Sequence, residues 1–508
     1  MSTQTANYTD GIPVSEILPG AKLIGTQSLN VSSCCGQWEE CQPGDLYVAI
    51  LGAESDGHDF CPQAIENGAT AVITERLVAT SAPQILVTDS RRAYAQVCHA
   101  LAGSPSQRLS TIGVSGSAGK TVTTHLVQAI LSAAGQKPGR SSSLGVVVGE
   151  ETPTIPHKDL NPPMLAEQMS QMVINGCSHA VIEVSARDLA KRKFEGVALD
   201  VAVLTNMRDD DIDFHSSRDN FKRSQLRILE SLKSDGIAVL NLDDPISHFL
   251  VEECTKPVLT FGMHQDANVR GQLLERLSSE QSFLLIAGAE SVVVRTPIIG
   301  DEHIYNCLCA ATVGLASGID LQTIAKGIEN GSRLPGRMER IECGQDHGVW
   351  IDSAQTPVQL ATALRTIRQV VKGNVWCVCS ISDCQSREQR RRLGEVLERA
   401  ADNVVVTRDS VDSMIDYEPM HQMFDGFEEP KRVQLIPNRF RAIEWALGQA
   451  EPNDAVLIAG CGEKPFALLG DENWTIADRD VCEAWLFDNA SIDGQFVSPD
   501  IYRIDDYR

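Results

Sequence analysis

Long apolar runs are missing from this chain. No stretch of about 18 apolar residues is available to span a bilayer, and no charged-then-apolar leader opens the sequence, so a cytoplasmic protein without membrane insertion is expected. A basic excess is missing too: 44 Lys and Arg stand against 68 Asp and Glu, a net charge of −24. That balance argues against a nucleic-acid or anionic-membrane partner and points to a small molecule whose phosphates meet local cations. Paired C-x-x-C spacing is absent although there are 15 cysteines. Cys34-Cys35 with Cys41, and Cys377, Cys379 and Cys384, lack zinc-site spacing, and Cys377 and Cys379 alternate along an apparent strand, so core packing and reduced thiols are expected. No strand leads into G-x-G-x-x-G, which counts against a dinucleotide oxidoreductase, and no repeat or low-complexity tract occurs.

What is present is a phosphate loop. Ile112-Gly-Val-Ser-Gly-Ser-Ala-Gly-Lys-Thr121 reads as an apolar strand, a glycine-rich turn, a lysine and a hydroxyl, followed by a helix over Lys120 to Ala134 that Gly135 stops. Small residues let backbone N–H groups converge on phosphates, the lysine adds charge, the hydroxyl meets Mg²⁺, and the helix N-terminus faces the anion. Gly116, Ser117, Gly119, Lys120 and Thr121 are therefore the candidate nucleotide ligands, although the glycine spacing departs from a strict Walker A loop. The bland alternative is a glycine-rich turn with an exposed lysine.

With 508 residues there is room for about three domains. Short strands at Leu46–Ile50 and Thr70–Thr74 flank a helix near Cys61–Asn67, before a linker at Gly103–Ser106. Near-continuous runs at Thr111–Val114, His179–Val184, Asp200–Thr205 and Gly236–Leu240 suit a parallel sheet buried on both faces. The pattern restarts at Gly348–Asp352, Val375–Val378, Asn403–Thr407 and Ala455–Ala459. The expected class is α/β, with domains over 1–107, 108–332 and 333–508.

Ordered motifs then carry a resemblance. Pro43-Gly-Asp-Leu-Tyr-Val-Ala49, Asp56-Gly-His-Asp59, the phosphate loop, Glu183-Val-Ser185, Thr205-Asn206, Asp213-Phe-His215, Asn241-Leu-Asp-Asp-Pro245, Thr260-Phe-Gly262, Leu334-Pro-Gly-Arg-Met-Glu-Arg340 and Leu457-Ile-Ala-Gly460 follow in sequence. Over residues 12 to 487 the chain resembles the Mur ligases, closest to those adding the third amino acid to UDP-N-acetylmuramoyl-dipeptide. The resemblance implies a three-domain architecture: an N-terminal domain for the UDP end, a central P-loop ATPase domain, and a C-terminal Rossmann-like domain for the amino acid. It implies ATP and Mg²⁺, an acyl phosphate, a nucleotide-linked substrate, an amino acid and a monomer. It also assigns Glu183 to Mg²⁺, Arg337 and Asp352 to ATP, Asn306 to the base region, and Ser185 and Lys193 to the substrate.

The sequence departs from the family in several of these places. Ala118 replaces an asparagine, and His303 stands where a second base-region asparagine is usual. The family's Asp-His pair falls on Asp210-Asp211 and its carbamylated lysine on Gln225. Charge is conserved by the exchange, and carboxylate and amide oxygens both suit Mg²⁺, so a rebuilt metal site with Asp211 is expected, with a solvated acidic loop as the alternative. Gln355 replaces a histidine, and Arg387, Arg390, Arg391 and Arg392 are either compensating cations or a solvated helix face. The diaminopimelate-reading motif falls on Asp409-Ser-Val-Asp412 without its arginine, and an arginine fork is what reads a carboxylate bidentately, so an amine other than diaminopimelate is expected. The late Gly-Lys-Gly-His-Glu pattern reads Gly460-Cys-Gly-Glu-Lys464. Near the UDP end, Gln37-Trp-Glu39 stands for Asp-Ser-Arg, and Asn161-Pro-Pro163 for Thr-Thr-Pro. Two functions follow: an active carboxylate-amine ligase, or an impaired homologue that binds nucleotide or a precursor as a regulator.

Overall fold

The computed structural model describes residues 11–52, 55–149, 160–207, 218–381, 385–408, 418–468 and 471–489. Asp211 with its neighbours Asp209 and Asp210, the run Asp213–His215, the segment Asp409–Asp412, and Cys384 lie outside the described residues. The chain divides into two compact units, 1–268 with 309–327, and 269–308 with 328–508. Among the described residues no helix is long and apolar enough to cross a membrane.

The first unit begins with a five-stranded sheet of β1 (Lys22–Ile24), β2 (Cys34–Cys35), β3 (Leu46–Val48), β4 (Ala71–Thr74) and β5 (Gln84–Leu86), ordered β1-β5-β4-β3-β2. Helix α1 (Ser90–Leu101) starts where the Asp89 carboxylate accepts from the Arg92 N–H, and its Ala93, Val97 and Leu101 pack with Val48 and Ile73. Cys35 and Cys41 are joined in a disulfide with Cα atoms 5.7 Å apart, which corrects the expectation of reduced thiols throughout. A 3-10 turn at Trp38–Glu40 folds the chain back between them, a turn that cysteine spacing alone does not announce. Twelve further described cysteines are free.

The unit continues as a sheet ordered β8-β7-β9-β6-β10-β11-β12. Its strands are β6 (Ser110–Ser115), β7 (Pro138–Ser142), β8 (Gly145–Val147), β9 (His179–Glu183), β10 (Leu199–Leu204), β11 (Leu232–Asn241) and β12 (Val258–Gly262). All these pairings are parallel except β8 on β7. Val181 and Ile182 point to opposite faces and both are fully buried, as a doubly covered sheet requires. Helix α2 (Lys120–Ala133) follows β6 directly, and α3 (Ala186–Ala190) and α4 (Arg218–Glu230) follow β9 and β10. The carboxyl ends of β6, β9 and β10 therefore converge, because β6 lies between the other two.

In the second unit β13 (Val269–Arg276), β14 (Gln281–Ala287) and β15 (Glu290–Thr296) form an antiparallel meander. Helix α5 (Asp301–Ala316) follows in the chain, with residues 301–308 in this unit. A six-stranded sheet ordered β16-β17-β21-β18-β19-β20 is built from β16 (Glu339–Ile341), β17 (Gly348–Asp352), β18 (Val375–Ile381), β19 (Asn403–Arg408), β20 (Val433–Leu435) and β21 (Ala455–Ala459), with only β16 antiparallel. Leu360, Leu364, Leu393 and Leu397 of helices α6 (Pro357–Arg368) and α7 (Arg387–Ala400) cover one face. Ile443, Leu447, Val481 and Leu486 of α8 (Arg439–Gln449) and α9 (Asp478–Asn489) cover the other. A fully buried bidentate pair, Arg439 to Asp478 at 2.7 Å on both nitrogens, ties α8 to α9.

Candidate functional site

The phosphate loop is braced by neighbouring residues as well as by its own lysine. Gly116 sits at φ +138° and Gly119 at φ +81°, conformations that favour glycine, and a Cβ on Gly116 would fall 2.0 Å from Thr205 Oγ1. Thr205 and Asn206, at the end of β10, brace the turn. The Thr205 hydroxyl donates to the Ala118 carbonyl at 2.6 Å, the Asn206 side-chain oxygen accepts from the Ala118 N–H at 3.0 Å, and the Asn206 carbonyl accepts from the Ser117 N–H at 3.1 Å. The motif Thr205-Asn206 entered the sequence reading only as a family match; its role as a brace is visible only once β10 is placed beside β6.

Lys120 folds back so that Nζ donates to the Gly116 and Ser117 carbonyls at 2.9 and 3.1 Å, which places its charge over the turn. Thr121 turns its hydroxyl toward Glu183 at the end of β9, with both carboxylate oxygens 3.0 Å away. Ser143, in the β7–β8 turn, adds its hydroxyl 2.9 Å from Thr121 and donates its N–H to Glu183 at 3.0 Å. Ser143 was missed in the sequence, where only the hydroxyl run Ser141-Ser-Ser143 signals it. Thus Glu183, 62 residues further along the chain, is brought to Thr121 beside Lys120.

The site fits a magnesium ion in one respect. One carboxylate and two hydroxyl oxygens converge, and Mg²⁺ keeps several waters while binding one or two carboxylates plus substrate phosphates. Among the described residues no three His, Cys, Asp or Glu side chains are grouped to hold a metal without such help. Behind Glu183, Arg140 is buried on β7 with its guanidinium against His125. Burial lowers the Arg140 pKa and the Glu183 charge opposes that shift.

Gln225, on α4, is fully buried beneath the loop. Its Oε1 accepts from the Ser115 hydroxyl at 2.7 Å, while Nε2 has no partner among the described residues. Ser185 caps α3, accepting from the Asp188 N–H at 3.1 Å and donating to its carboxylate at 2.5 Å, and Lys193 pairs with the same carboxylate at 3.1 Å. The two substrate candidates are therefore neighbours through Asp188, a residue the sequence did not single out.

In the second unit Arg337 and Asp352 are also close. Arg337 Nη1 lies 2.6 Å from Glu463 Oε2, and both side chains are 17% exposed. Asp352 accepts from the Met338 and Ala354 N–H groups at 2.7 and 2.9 Å; desolvation raises its pKa, against the pull of those N–H groups and of Arg337. The turns are tightly interleaved, since a Cβ on Gly336 would meet the Glu463 backbone at 2.2 Å. Gln355 donates to the Gly460 carbonyl at 2.9 Å. Asn306 is half-buried on α5, while His303 is buried with Nε2 3.5 Å from Cys307 Sγ, and burial drives its pKa down to about 3. The arginine run on α7 is engaged locally: Arg391 and Arg392 pair with Glu388, Arg387 with Asp425, and Arg390 with Gln422.

Comparison with known proteins gives three family matches along the chain. Residues 38–101 match the Mur ligase family catalytic domain, 114–314 the Mur ligase middle domain, and 336–462 the Mur ligase glutamate ligase domain. A protein of Geobacillus thermodenitrificans named UDP-N-acetylmuramoyl-L-alanyl-D-glutamate–2,6-diaminopimelate ligase is 34% identical over 451 residues, covering 87% of this chain and 92% of that one. A Bacillus cereus protein of the same name is 29% identical over 467 residues, covering 91% and 95%. A solved structure under that name superposes with a TM-score of 0.68 at 23% identity, over 94% of this chain and 99% of the other. The Thermotoga maritima MurF ligase in complex with ADP gives 0.58 at 21%, over 90% and 96%. These structural likenesses show a shared three-domain α/β fold.

Proposed function

Because the chain belongs to the Mur ligase family, we propose that it is an ATP-dependent ligase joining an amine-bearing amino acid to a UDP-muramoyl-peptide-like precursor of the cell wall. A precursor carboxylate oxygen attacks the γ-phosphorus of ATP and ADP leaves, giving an acyl phosphate. The amine nitrogen then attacks the acyl carbon, phosphate leaves, and the nitrogen gives up a proton. The observation that carries the reading is the meeting of Thr121, Ser143 and Glu183 beside Lys120 at the phosphate loop.

In this reading the loop N–H groups with Gly116, Ser117 and Gly119 hold the phosphates, and Lys120 swings from its own carbonyls onto the anion. Arg337, Asp352 and Asn306 are further nucleotide ligands, and Ser185 and Lys193 bind the precursor around Asp188. Thr121 and Glu183 hold Mg²⁺, which when bound neutralises charge on the transferring phosphoryl group. Anionic Asp211 with neutral Gln225 serves a second cation. Turning the Gln225 amide over lets Nε2 donate to Ser115 and presents Oε1 where an unpartnered nitrogen otherwise stands. Unchanged affinity for the Mg²⁺–ATP complex in Asp211→Asn would sink that part of the reading.

The amine is the finer question. The relatives are named for diaminopimelate, so their names lend no support to a different amine; its support is Asp412, which would repel a carboxylate where an arginine would read one. The protein is taken to act as a monomer. One observation favours the second reading, a nucleotide-binding homologue that has lost ligation: Arg337 is already occupied by Glu463. ADP release in the presence of precursor and amine separates the two.

A further inference from the structure

Strand β2 consists of two cysteines and is the edge strand of its sheet. Successive residues of a strand face opposite sides, so Cys34 and Cys35 point away from each other. Cys35 is bonded to Cys41 and packs with Tyr47 and Cys61 on one face. On the other face Cys34 packs with Val31, Leu46 and Val97, and its sulfur lies 3.6 Å from Cys98 Sγ on α1. The site has a built surround. Tyr94, one turn before Cys98, bonds the Cys98 sulfur, and its ring closes over Gly36, where an added Cβ would fall 3.0 Å from Tyr94 Cζ. Cys34 is half-buried, and Cys98 is only 6% exposed.

We propose that Cys34 and Cys98 form a redox modification site that takes a low-molecular-weight disulfide as its oxidant. The Cys34 thiolate, the accessible one, attacks one sulfur of the oxidant, forming a mixed disulfide and releasing the first thiol. Cys98 then loses its proton and attacks the Cys34 sulfur, and the second thiol leaves. Two electrons and two protons pass from the cysteine pair to the oxidant. The sulfurs must approach by about 1.6 Å, within reach of side-chain rotation on an edge strand. Once Cys34 is in the mixed disulfide its own hold on the Cys98 proton is gone, and burial is what still opposes loss of that proton in the second step. The product staples β2 on both faces, to the 36–41 turn by one disulfide and to α1 by the other.

The test uses the full chain, purified without reductant and incubated with oxidised glutathione. The expected result is a mass loss of about 2 Da with a Cys34–Cys98 cross-linked peptide, reversed by dithiothreitol. In Cys98→Ala the resolving thiol is gone, so one glutathionyl group should remain on Cys34. Two unmodified thiols in the wild type, a stable glutathionyl adduct on wild-type Cys34, or no adduct in Cys98→Ala would each overturn the proposal. None of these readouts depends on ligase activity.

Discussion

The Thr121 hydroxyl stands 3.0 Å from each carboxylate oxygen of Glu183, across 62 residues of sequence. A hydroxyl in the first turn of the helix and a carboxylate at the end of the adjacent strand meet at the edge of the phosphate loop, where we propose that they hold Mg²⁺. Replacing Glu183 by Gln keeps the shape and removes the charge. Turnover of ATP should fall by a factor of about 10² to 10³ while the fold is retained, the usual cost of losing one preorganised charge stabiliser. Steady-state ADP release across a Mg²⁺ titration, with thermal melting as the control, checks it.

Gly116→Ala tests the brace. Its new methyl would overlap Thr205 Oγ1, and alanine is strained at φ +138°. The expected result is a loss of about 1–3 kcal/mol of stability together with loss of nucleotide binding, read by denaturant unfolding and calorimetry. Wild-type affinity in this variant would show that Thr205 and Asn206 do not shape the loop.

Glu463→Gln tests whether the Arg337 pair holds the arginine back from the nucleotide. Removing a partly exposed carboxylate partner is worth on the order of 1 kcal/mol, so the KM for ATP should fall by a factor of about 3 to 10. A raised KM would mean that Glu463 positions Arg337 for its task.

Acid stability follows from a buried histidine. His99 is held neutral by burial, its pKa lowered to about 4, with Nε2 2.8 Å from the Ser106 hydroxyl. Unfolded histidine titrates near 6.5, so between roughly 6.5 and 4 the unfolded chain binds the extra proton, and stability falls as pH drops through that window. His125, also lowered to about 4, and His303 push in the same direction. The melting temperature should decline between pH 7 and pH 5, and the decline should be shallower in His99→Gln.

Much of the frame was legible from residues. The helix expected over Lys120 to Ala134 forms over Lys120–Ala133, and the strands Gly348–Asp352 and Ala455–Ala459 stand where their apolar runs end, because doubly buried strands leave uninterrupted Val and Ile. The meander over residues 269–296 was not singled out: its apolar runs, Phe283-Leu-Leu-Ile-Ala287 and Val292-Val-Val294, are short, and its burial alternates along strands whose residue types do not. Partners set by strand order were equally hidden. Asn206 reaches Ala118 across 88 positions and Glu463 reaches Arg337 across 126, and no local pattern encodes either contact.

The most direct test of the ligase reading is ADP release from ATP and Mg²⁺ with UDP-muramoyl-dipeptide and a panel of amino acids that includes diaminopimelate, with Lys120→Ala as the blank. The account predicts release that requires both precursor and one amine and vanishes in the blank. ATP binding without any substrate-dependent release above the blank would contradict it.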